Sequence, residues 1–255
     1  MNFSYLYSHA PLFMLPLTEI AGFLNTFLQV SDFPNDLNGI YRSSDRLVSR
    51  IGLALDPFPG LEQWVDDYSL DAVWLRQPRK LQLTPALTRA YIGVLGYHLP
   101  FDERLTLGYN PMLAEALGLT NAEPFGEKEG RPIGMIADMP TIDFSEFRTQ
   151  LGSEFGGEEQ AFTGKKARVQ RIAIVGVMTE ELVWQAIQRR ADVYVTGQLP
   201  KEGRTVALHS GLALIAVGHQ RSEQWGLRAL ATILRNRWEK LKVVVYSEPI
   251  PSVAR

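Results

Sequence analysis

The chain has 255 residues, of which 45% are hydrophobic and 21% are charged, and its formal net charge is −2. These values are ordinary for a soluble globular protein and provide no overall attraction to nucleic acid or to an anionic membrane. The sequence contains no cysteine and four histidines, which excludes disulfides and thiolate metal sites. Any bound metal would therefore be held by His, Asp and Glu.

The N-terminal stretch, residues 1–16, is expected to be a leader and not a targeting segment. No Lys or Arg precedes Arg42, so the positively charged region of a secretory signal is missing. Met14 is an alternative natural start. Because no stretch reaches the roughly 20 apolar residues that cross a bilayer, we expect a cytoplasmic protein.

Apolar periodicity and turn residues predict an alternation of helices and strands in the first half of the chain. A first helix, capped by Thr18, extends through Leu28. Buried strands are predicted at residues 47–55, 71–75, 92–97 and 132–137, and helices at residues 59–68, from Thr84 onwards, and at 110–118 and 143–151. Residues 31–44 are predicted to be rich in turns, and residues 121–131 to be a surface loop.

The same alternation returns after residues 152–166, a stretch of glycines and charges that is the best candidate for a linker. Strands are predicted at residues 171–175, 192–195, 212–217 and 243–246, and helices at residues 179–190, 201–210 and 222–238. Strands alternating with helices indicate an α/β fold. We therefore predict an N-terminal α/β lobe at residues 17–151 and a C-terminal α/β lobe at residues 167–255.

The two predicted lobes share an internal repeat that needs no gap. When Arg50 is placed on Arg171, several identical or similar residues coincide: Asp71 with Asp192, Gln77 with Gln198, His98 with His219, and Asp102 with Glu223. Both His-x-x-x-carboxylate pairs are thus equivalent. The repeat predicts two similar lobes around a pseudo-twofold axis, with sheets covered by helices and a cleft in which both pairs converge.

The second of these pairs follows an apolar run of strand length, Leu214–Val217, and a glycine, Gly218. Open α/β sheets bind ligands at the carboxyl ends of their strands. His219 and Glu223, four residues apart, would share one face of the first helical turn and could hold one ion. The alternative is that Glu223 only favours the positive end of the helix and that His219 is a polar turn residue.

Together the two pairs offer a mixed set of nitrogen and oxygen ligands, His98, Asp102, His219 and Glu223. Such a set suits a divalent ion of the Zn²⁺, Mn²⁺, Fe²⁺ or Co²⁺ class. The alternative is that the four are separate turn residues in two unrelated loops. Arg76 and Gln77 follow a predicted strand and could line the same cleft.

Several stretches resemble the Nif-three-like family, the GTP cyclohydrolase 1 type 2 homologs, in the short bacterial form without an inserted domain. They are Asn38–Ile40, Tyr97–Asp102, Ala114–Leu119, Ala191–Gly197 and Gly218–Glu223. The resemblance implies a two-lobed α/β protein that assembles as a toroidal homohexamer. It also implies a di-metal site in the cleft, facing the interior of the ring.

In that family the metal ligands are a His-His pair after the second strand, the Asp of His-x-x-x-Asp, and the His and Glu of the last motif. Asp102, His219 and Glu223 match the last three, but Arg76-Gln77 occupies the position of the His-His pair. A guanidinium cannot ligate a cation. Three interpretations stay open: one ion held by the retained residues with His98, Arg76 paired with a carboxylate in place of the ions, or an inactive site on a scaffold.

Two functions follow from this resemblance. The first is a metal-dependent hydrolase of a nucleotide-like substrate, with fewer ions than the family's two and with Arg76 and Gln77 binding the substrate. The second is a non-catalytic, ring-shaped scaffold that binds a protein or nucleic-acid partner. The acidic charge balance argues against general nucleic-acid binding.

Overall fold

The computed structural model of the protein describes residues 13–82, 84 and 91–247. Most of the predicted leader, and residues 85–90 of the helix predicted from Thr84 onwards, lie outside the described residues. The described helices are α1 Leu17–Phe27, α2 Leu61–Asp67, α3 Leu99–Leu105, α4 Pro111–Ala116, α5 Phe144–Phe155, α6 Glu180–Gln188, α7 Lys201–Ser210 and α8 His219–Arg237. None of them is long and apolar enough to cross a bilayer.

The described strands are β1 Gly39–Arg42, β2 Arg50–Ala54, β3 Ala72–Leu75, β4 Gly93–Gly96, β5 Thr120–Lys128, β6 Arg131–Asp143, β7 Gln160–Phe162, β8 Arg168–Val175, β9 Val193–Thr196, β10 Ala213–Ala216 and β11 Lys242–Val245. They form two sheets. The first has the order β1-β4-β3-β2-β11 and the second the order β5-β6-β8-β9-β10-β7.

In each sheet the central strands are parallel. β11, β2, β3 and β4 run parallel in the first sheet, and β8, β9 and β10 run parallel in the second. Every residue of β3, β4, β9 and β10 is buried. Such continuous apolar runs are typical of parallel strands that are covered on both faces.

Helices cover both sheets, and α8 lies between them. Leu230 and Leu234 of this helix pack in the core of the first sheet, whereas Trp225 and Ala229 pack in the core of the second. A helix with two apolar faces is expected where it is buried between two layers. The predicted α/β fold, with two sheets covered by helices, is confirmed.

The surface loop predicted at residues 121–131 is wrong. Most of this segment belongs to β5, which pairs antiparallel with β6. Phe125 is the buried residue of this strand, and the charged residues around it are exposed. Because β5 is an edge strand, charged side chains can face the solvent and hide the apolar alternation by which a strand is recognised.

Residues 152–166, predicted as a linker, contain the last turn of α5 and strand β7, which pairs antiparallel with β10. β7 has three residues and none of them is fully buried, so no apolar pattern marks it. Strands from both sides of this segment share each sheet, since β5 and β6 join the second sheet and β11 joins the first. The domain boundaries at residues 17–151 and 167–255 stay a prediction.

Equivalent hydrogen bonds accompany the repeat in both sheets. Asp71 precedes β3 and Asp192 precedes β9. Each carboxylate accepts hydrogen bonds from two consecutive backbone N–H groups of the neighbouring strand region. In turn, the N–H of Asp71 donates to the carbonyl of Arg50 and that of Asp192 to the carbonyl of Arg171. The buried aspartates therefore fix the same strand junction in each half.

Candidate functional site

The predicted site residues gather at the carboxyl ends of three parallel strands. They are Arg76 and Gln77 after β3, His98 and Asp102 at the start of α3 after β4, and His219 and Glu223 at the start of α8 after β10. β3 and β4 belong to the first sheet and β10 to the second, so strand ends of both sheets form the site. This is the cleft that the repeat predicted.

Two glycines, Gly218 and Gly226, allow the elements around the site to come close together. Gly218 has a φ of +97°, a conformation that other residues rarely adopt, and it turns the chain from β10 into α8. Gly226 lies where a Cβ atom would come 2.8 Å from the carbonyl oxygen of Leu105. The absence of a side chain at Gly226 lets the second turn of α8 lie against the end of α3.

The centre of the site is Arg76. Its Nε and Nη2 atoms donate hydrogen bonds to the two carboxylate oxygens of Asp102, each at 2.6 Å. Nη2 also lies 2.9 Å from Oε1 of Glu223, and the side chain of Arg76 is only 8% exposed. One buried guanidinium therefore pairs with both carboxylates.

These ion pairs change the acid–base properties of the site. Burial disfavours the charged form of Arg76, but the hydrogen bonds to Asp102 and the charges of Asp102 and Glu223 outweigh it and raise the pKa of Arg76. Burial also raises the pKa of Asp102, against the opposing effect of the guanidinium. Arg76 is consequently a permanent positive charge between two acidic side chains.

His219 of α8 contacts one of these two carboxylates, that of Glu223. Nε2 of His219 lies 2.9 Å from Oε1 of Glu223, so the i, i+4 spacing does place the two on one face of the helix. Contact with Glu223 outweighs partial burial and raises the pKa of His219. The raised pKa favours the protonated imidazole, whose positive charge would lie beside Glu223.

His98 occupies the opposite side of the cluster. Its Nε2 atom lies 3.2 Å from Nε2 of Gln77 and 3.7 Å from Oδ2 of Asp102. Asp36 and Asn38 hold the chain here: Asn38 accepts a hydrogen bond from the backbone N–H of His98, and Asp36 from that of the next residue. Asp36 and Asn38 were not predicted as site residues; Asp36 lies in the turn-rich segment, and Asn38 begins one of the stretches that resemble the family.

These residues, in the arrangement observed, do not fit a divalent metal centre. Within the described residues, no group of three or more His, Asp and Glu side chains is arranged to hold a metal ion. The reason is local, because the Arg76 guanidinium takes the carboxylate oxygens that a cation would use and adds a fixed positive charge.

Two cavities flank the ion pairs. One, of about 180 Å³, is lined by Leu99, Thr106, Ile133 and Val177 and by the two site residues of α8. The other, of about 130 Å³, lies beside Gln77, Arg79, His98 and Tyr41. The larger one is walled by segments of both halves of the chain, which is a common location for a ligand site.

Comparison with known proteins identifies the family. Residues 76–251 match the family model described as Duf34/NIF3 (NGG1p interacting factor 3). The GTP cyclohydrolase 1 type 2 homolog of Neisseria meningitidis serogroup A is 31% identical over 153 residues, and the match covers 60% of each chain. The homolog of Pyrococcus horikoshii is 28% identical over 249 residues, covering 91% of this chain and 97% of the relative.

The fold is shared with solved structures as well. The crystal structure of TTHA1606 from Thermus thermophilus has a TM-score of 0.69 and 24% identity, and the match covers 92% of this chain and 99% of that one. This likeness concerns the fold alone. The family assignment rests on the family model, which covers more than half of the chain. The protein therefore belongs to the Duf34/NIF3 family.

Proposed function

We propose that this protein is a non-catalytic binding member of its family, whose cleft holds a small organic ligand without a divalent metal. One observation carries the proposal: a single buried guanidinium, that of Arg76, pairs with both Asp102 and Glu223. A divalent ion would compete for the same oxygen atoms and would be repelled by the fixed charge. The two carboxylates therefore already share a cation that the chain itself supplies.

The larger cavity supports the choice of a small organic ligand. Leu99, Ile133 and Val177 provide an apolar wall, while Thr106 and His219 lie at the same cavity. An apolar pocket with a few polar groups is the usual form of a small-molecule site, because burial gives affinity and the polar groups orient the ligand. The volume of about 180 Å³ limits the buried part of the ligand to a fragment-sized body.

Metal analysis tests the first half of the proposal. We expect protein purified without chelators to contain far less than one divalent ion per chain, and a panel of nucleotides and phosphodiesters to remain intact with added Mn²⁺ or Zn²⁺. A stoichiometric ion in the wild type that is lost in the double variant His219→Ala/Glu223→Ala would overturn it.

Ligand-observed NMR with a fragment library tests the second half. We expect fragments that bind to the wild type not to bind to Ile133→Trp, in which the larger side chain fills the cavity. The same fragments should still bind to Leu208→Trp, which enlarges an exposed side chain of α7. Fragments that bind equally well to both variants would place the ligand elsewhere. A library without any hit would also contradict the proposal.

The competing function is a metal-dependent hydrolase of a nucleotide-like substrate. It is favoured by the convergence of His98, Asp102, His219 and Glu223 in one cleft, the set of ligands proposed from the sequence. In this function, however, Arg76 would have to leave its ion pairs both to admit the metal and to bind a substrate phosphate. The metal analysis above distinguishes the two functions.

We also propose that the protein forms the homohexamer that the family resemblance implies. Size-exclusion chromatography with light scattering measures this directly. We expect a mass of six chains that does not change with EDTA, because the proposed cleft needs no metal. A monomer would contradict the assembly without affecting the binding proposal.

A further inference from the structure

The hairpin of β5 and β6 forms one wall of the larger cavity, since Lys128 and Ile133 line it. Lys128 and Arg131 are paired directly across the turn of this hairpin, so their side chains lie on the same face. Both turn residues, Glu129 and Gly130, have positive φ, as in the type I′ turns that suit the twist of paired strands. The backbone therefore places two basic side chains side by side at the end of the hairpin.

Arg131 attaches this turn to the first half of the chain. Its Nε and Nη2 atoms donate hydrogen bonds to the two carboxylate oxygens of Glu103 in α3, at 3.0 and 3.2 Å. Nη1 donates to the backbone carbonyl of Asp32, and Cζ lies 4.4 Å from the ring centroid of Phe33. The side chain of Arg131 is only 8% exposed. Because a bidentate, buried guanidinium has a fixed orientation, the turn that carries Lys128 is held against α3.

Every carboxylate that lines the cavity has an arginine partner within the chain. Asp102 and Glu223 share Arg76, and Glu103 pairs with Arg131. An unpaired carboxylate at a cavity would favour a cationic ligand, because partial burial makes an isolated charge costly. The acidic side chains of this cavity already have cationic partners and do not require one from a ligand.

Lys128 differs from these residues because it has no such partner. It is exposed and makes no hydrogen bond or ion pair with another described residue. With Ile133 and Val177 it lines both the cavity and an open groove of about 860 Å³ between the hairpin and α6. The neighbouring Glu127 lines the groove only. An ammonium group at the mouth of an apolar cavity is thus available to an anionic group of a ligand.

From this arrangement we propose that Lys128 binds an anionic group, a carboxylate or a phosphate, of a ligand whose apolar part fills the cavity. The proposal rests on the proposed small-molecule function and deepens it, because it gives the chemical class of the ligand. The cavity of about 180 Å³ suits a body of about one six-membered ring, since a cavity of about 150 Å³ in another protein binds benzene. The ligand is therefore a small acid whose anionic group points towards the groove.

Titrations followed by ligand-observed NMR, in buffer with EDTA, test this role of Lys128. The probes are benzoate, phenyl phosphate and benzamide, the uncharged analogue of benzoate. We expect the wild type to bind the better of the two anions about three- to fivefold more tightly than benzamide, as for an ion pair at an exposed lysine. High salt should weaken this preference, and Lys128→Met, which keeps most of the side-chain length, should remove it. The anion that binds more tightly identifies the group as carboxylate or phosphate.

Two control variants separate the role of Lys128 from the cavity itself. Lys240→Met, which removes the charge of an exposed lysine after α8, should keep the preference, and Ile133→Trp should abolish binding of all three probes. Equal binding of anions and benzamide by the wild type, or a preference that survives Lys128→Met, would overturn the role of Lys128 and leave the cavity as a ligand site. Binding that persists in Ile133→Trp, or no binding of any probe to the wild type, would contradict the small-molecule function and the role of Lys128 with it.

Discussion

The strand end after β3 and the strand end after β9 are equivalent in the repeat, yet only the first carries a charged centre. Arg76 and Gln77 follow β3, and Gln77 contacts His98. Gly197 and Gln198 follow β9, and Gln198 is exposed and makes no hydrogen bond with another described residue. A repeat therefore preserves the position of strand ends without preserving their chemistry.

The difference also explains how two halves share one site. Each half contributes a histidine and a carboxylate, but the cation that pairs with both carboxylates comes only from the first half. The second half could not easily supply its own, because Gly197 lies tightly against the carbonyl of Gly176. The asymmetry makes the cleft a single ion-pair network instead of two independent ones.

Of the substitutions that test this difference between the halves, removal of the Arg76 guanidinium should have the largest effect on stability. We expect Arg76→Ala to lower the free energy of unfolding by about 3–5 kcal/mol in metal-free buffer, because it removes the buried guanidinium that the carboxylates of Asp102 and Glu223 share. Urea unfolding measures this loss. The control, Arg79→Ala, should change the free energy by no more than about 0.5 kcal/mol, and an equal loss in both variants would show that Arg76 is not special.

The two buried aspartates should behave alike, since here the halves do match. Asp71→Asn and Asp192→Asn should each cost about 1.5–3 kcal/mol, because each removes an ionised acceptor of backbone hydrogen bonds. Urea unfolding of both variants checks the equality. A loss confined to one of them would show that the junctions are equivalent only in geometry.

Asp71 also predicts a pH dependence. Burial acts to raise the pKa of Asp71, but hydrogen bonds from Ser49 and Arg50 outweigh it and lower the pKa. Because the pKa of Asp71 is lower in the folded than in the unfolded state, the ionised carboxylate stabilises the fold at pH values above the unfolded-state pKa of about 3.9. This stabilisation is lost as the pH falls through the folded-state pKa. Unfolding experiments in acid should therefore show this loss in the wild type and a smaller one in Asp71→Asn.

An arginine placed at position 197, the equivalent of Arg76 in the second half, should destabilise the protein. Gly197→Arg places a side chain against the carbonyl of Gly176, and such overpacking costs about 1–3 kcal/mol. Thermal unfolding measures the cost, with Gln198→Arg as the control that adds the same charge at the exposed neighbouring position. A Gly197→Arg protein as stable as the control would contradict the steric explanation.

The smallest expected effect concerns the histidine of the second half. Because the folded-state pKa of His219 is raised by Glu223, its contribution to stability is fully present below the unfolded value of about 6.5 and is lost as the pH rises through the folded value. The side chain is 58% exposed, so solvent screening keeps this contribution under about 1 kcal/mol. NMR titration should show the raised pKa, and Glu223→Gln should remove the shift.

Much of the site could be predicted from local patterns. The glycine at position 218 and the i, i+4 spacing of His219 and Glu223 depend only on neighbouring residues, and the structure shows the expected turn and contact. The edge strand β5 could not be predicted in this way, because its pairing with β6 lets charged residues remain exposed. Local patterns identify elements whose burial is periodic, and an edge strand has little such periodicity.

The sequence by itself determined the α/β alternation, the repeat, the family and the two His-x-x-x-carboxylate pairs of the cleft. It left open whether Arg76 pairs with a carboxylate or stands beside a metal, because residues far apart in the chain decide this. Only the tertiary structure brings β3, α3 and α8 together so that the Arg76 guanidinium reaches both Asp102 and Glu223. An ion pair depends on distance and burial, and the packing of the two sheets sets both.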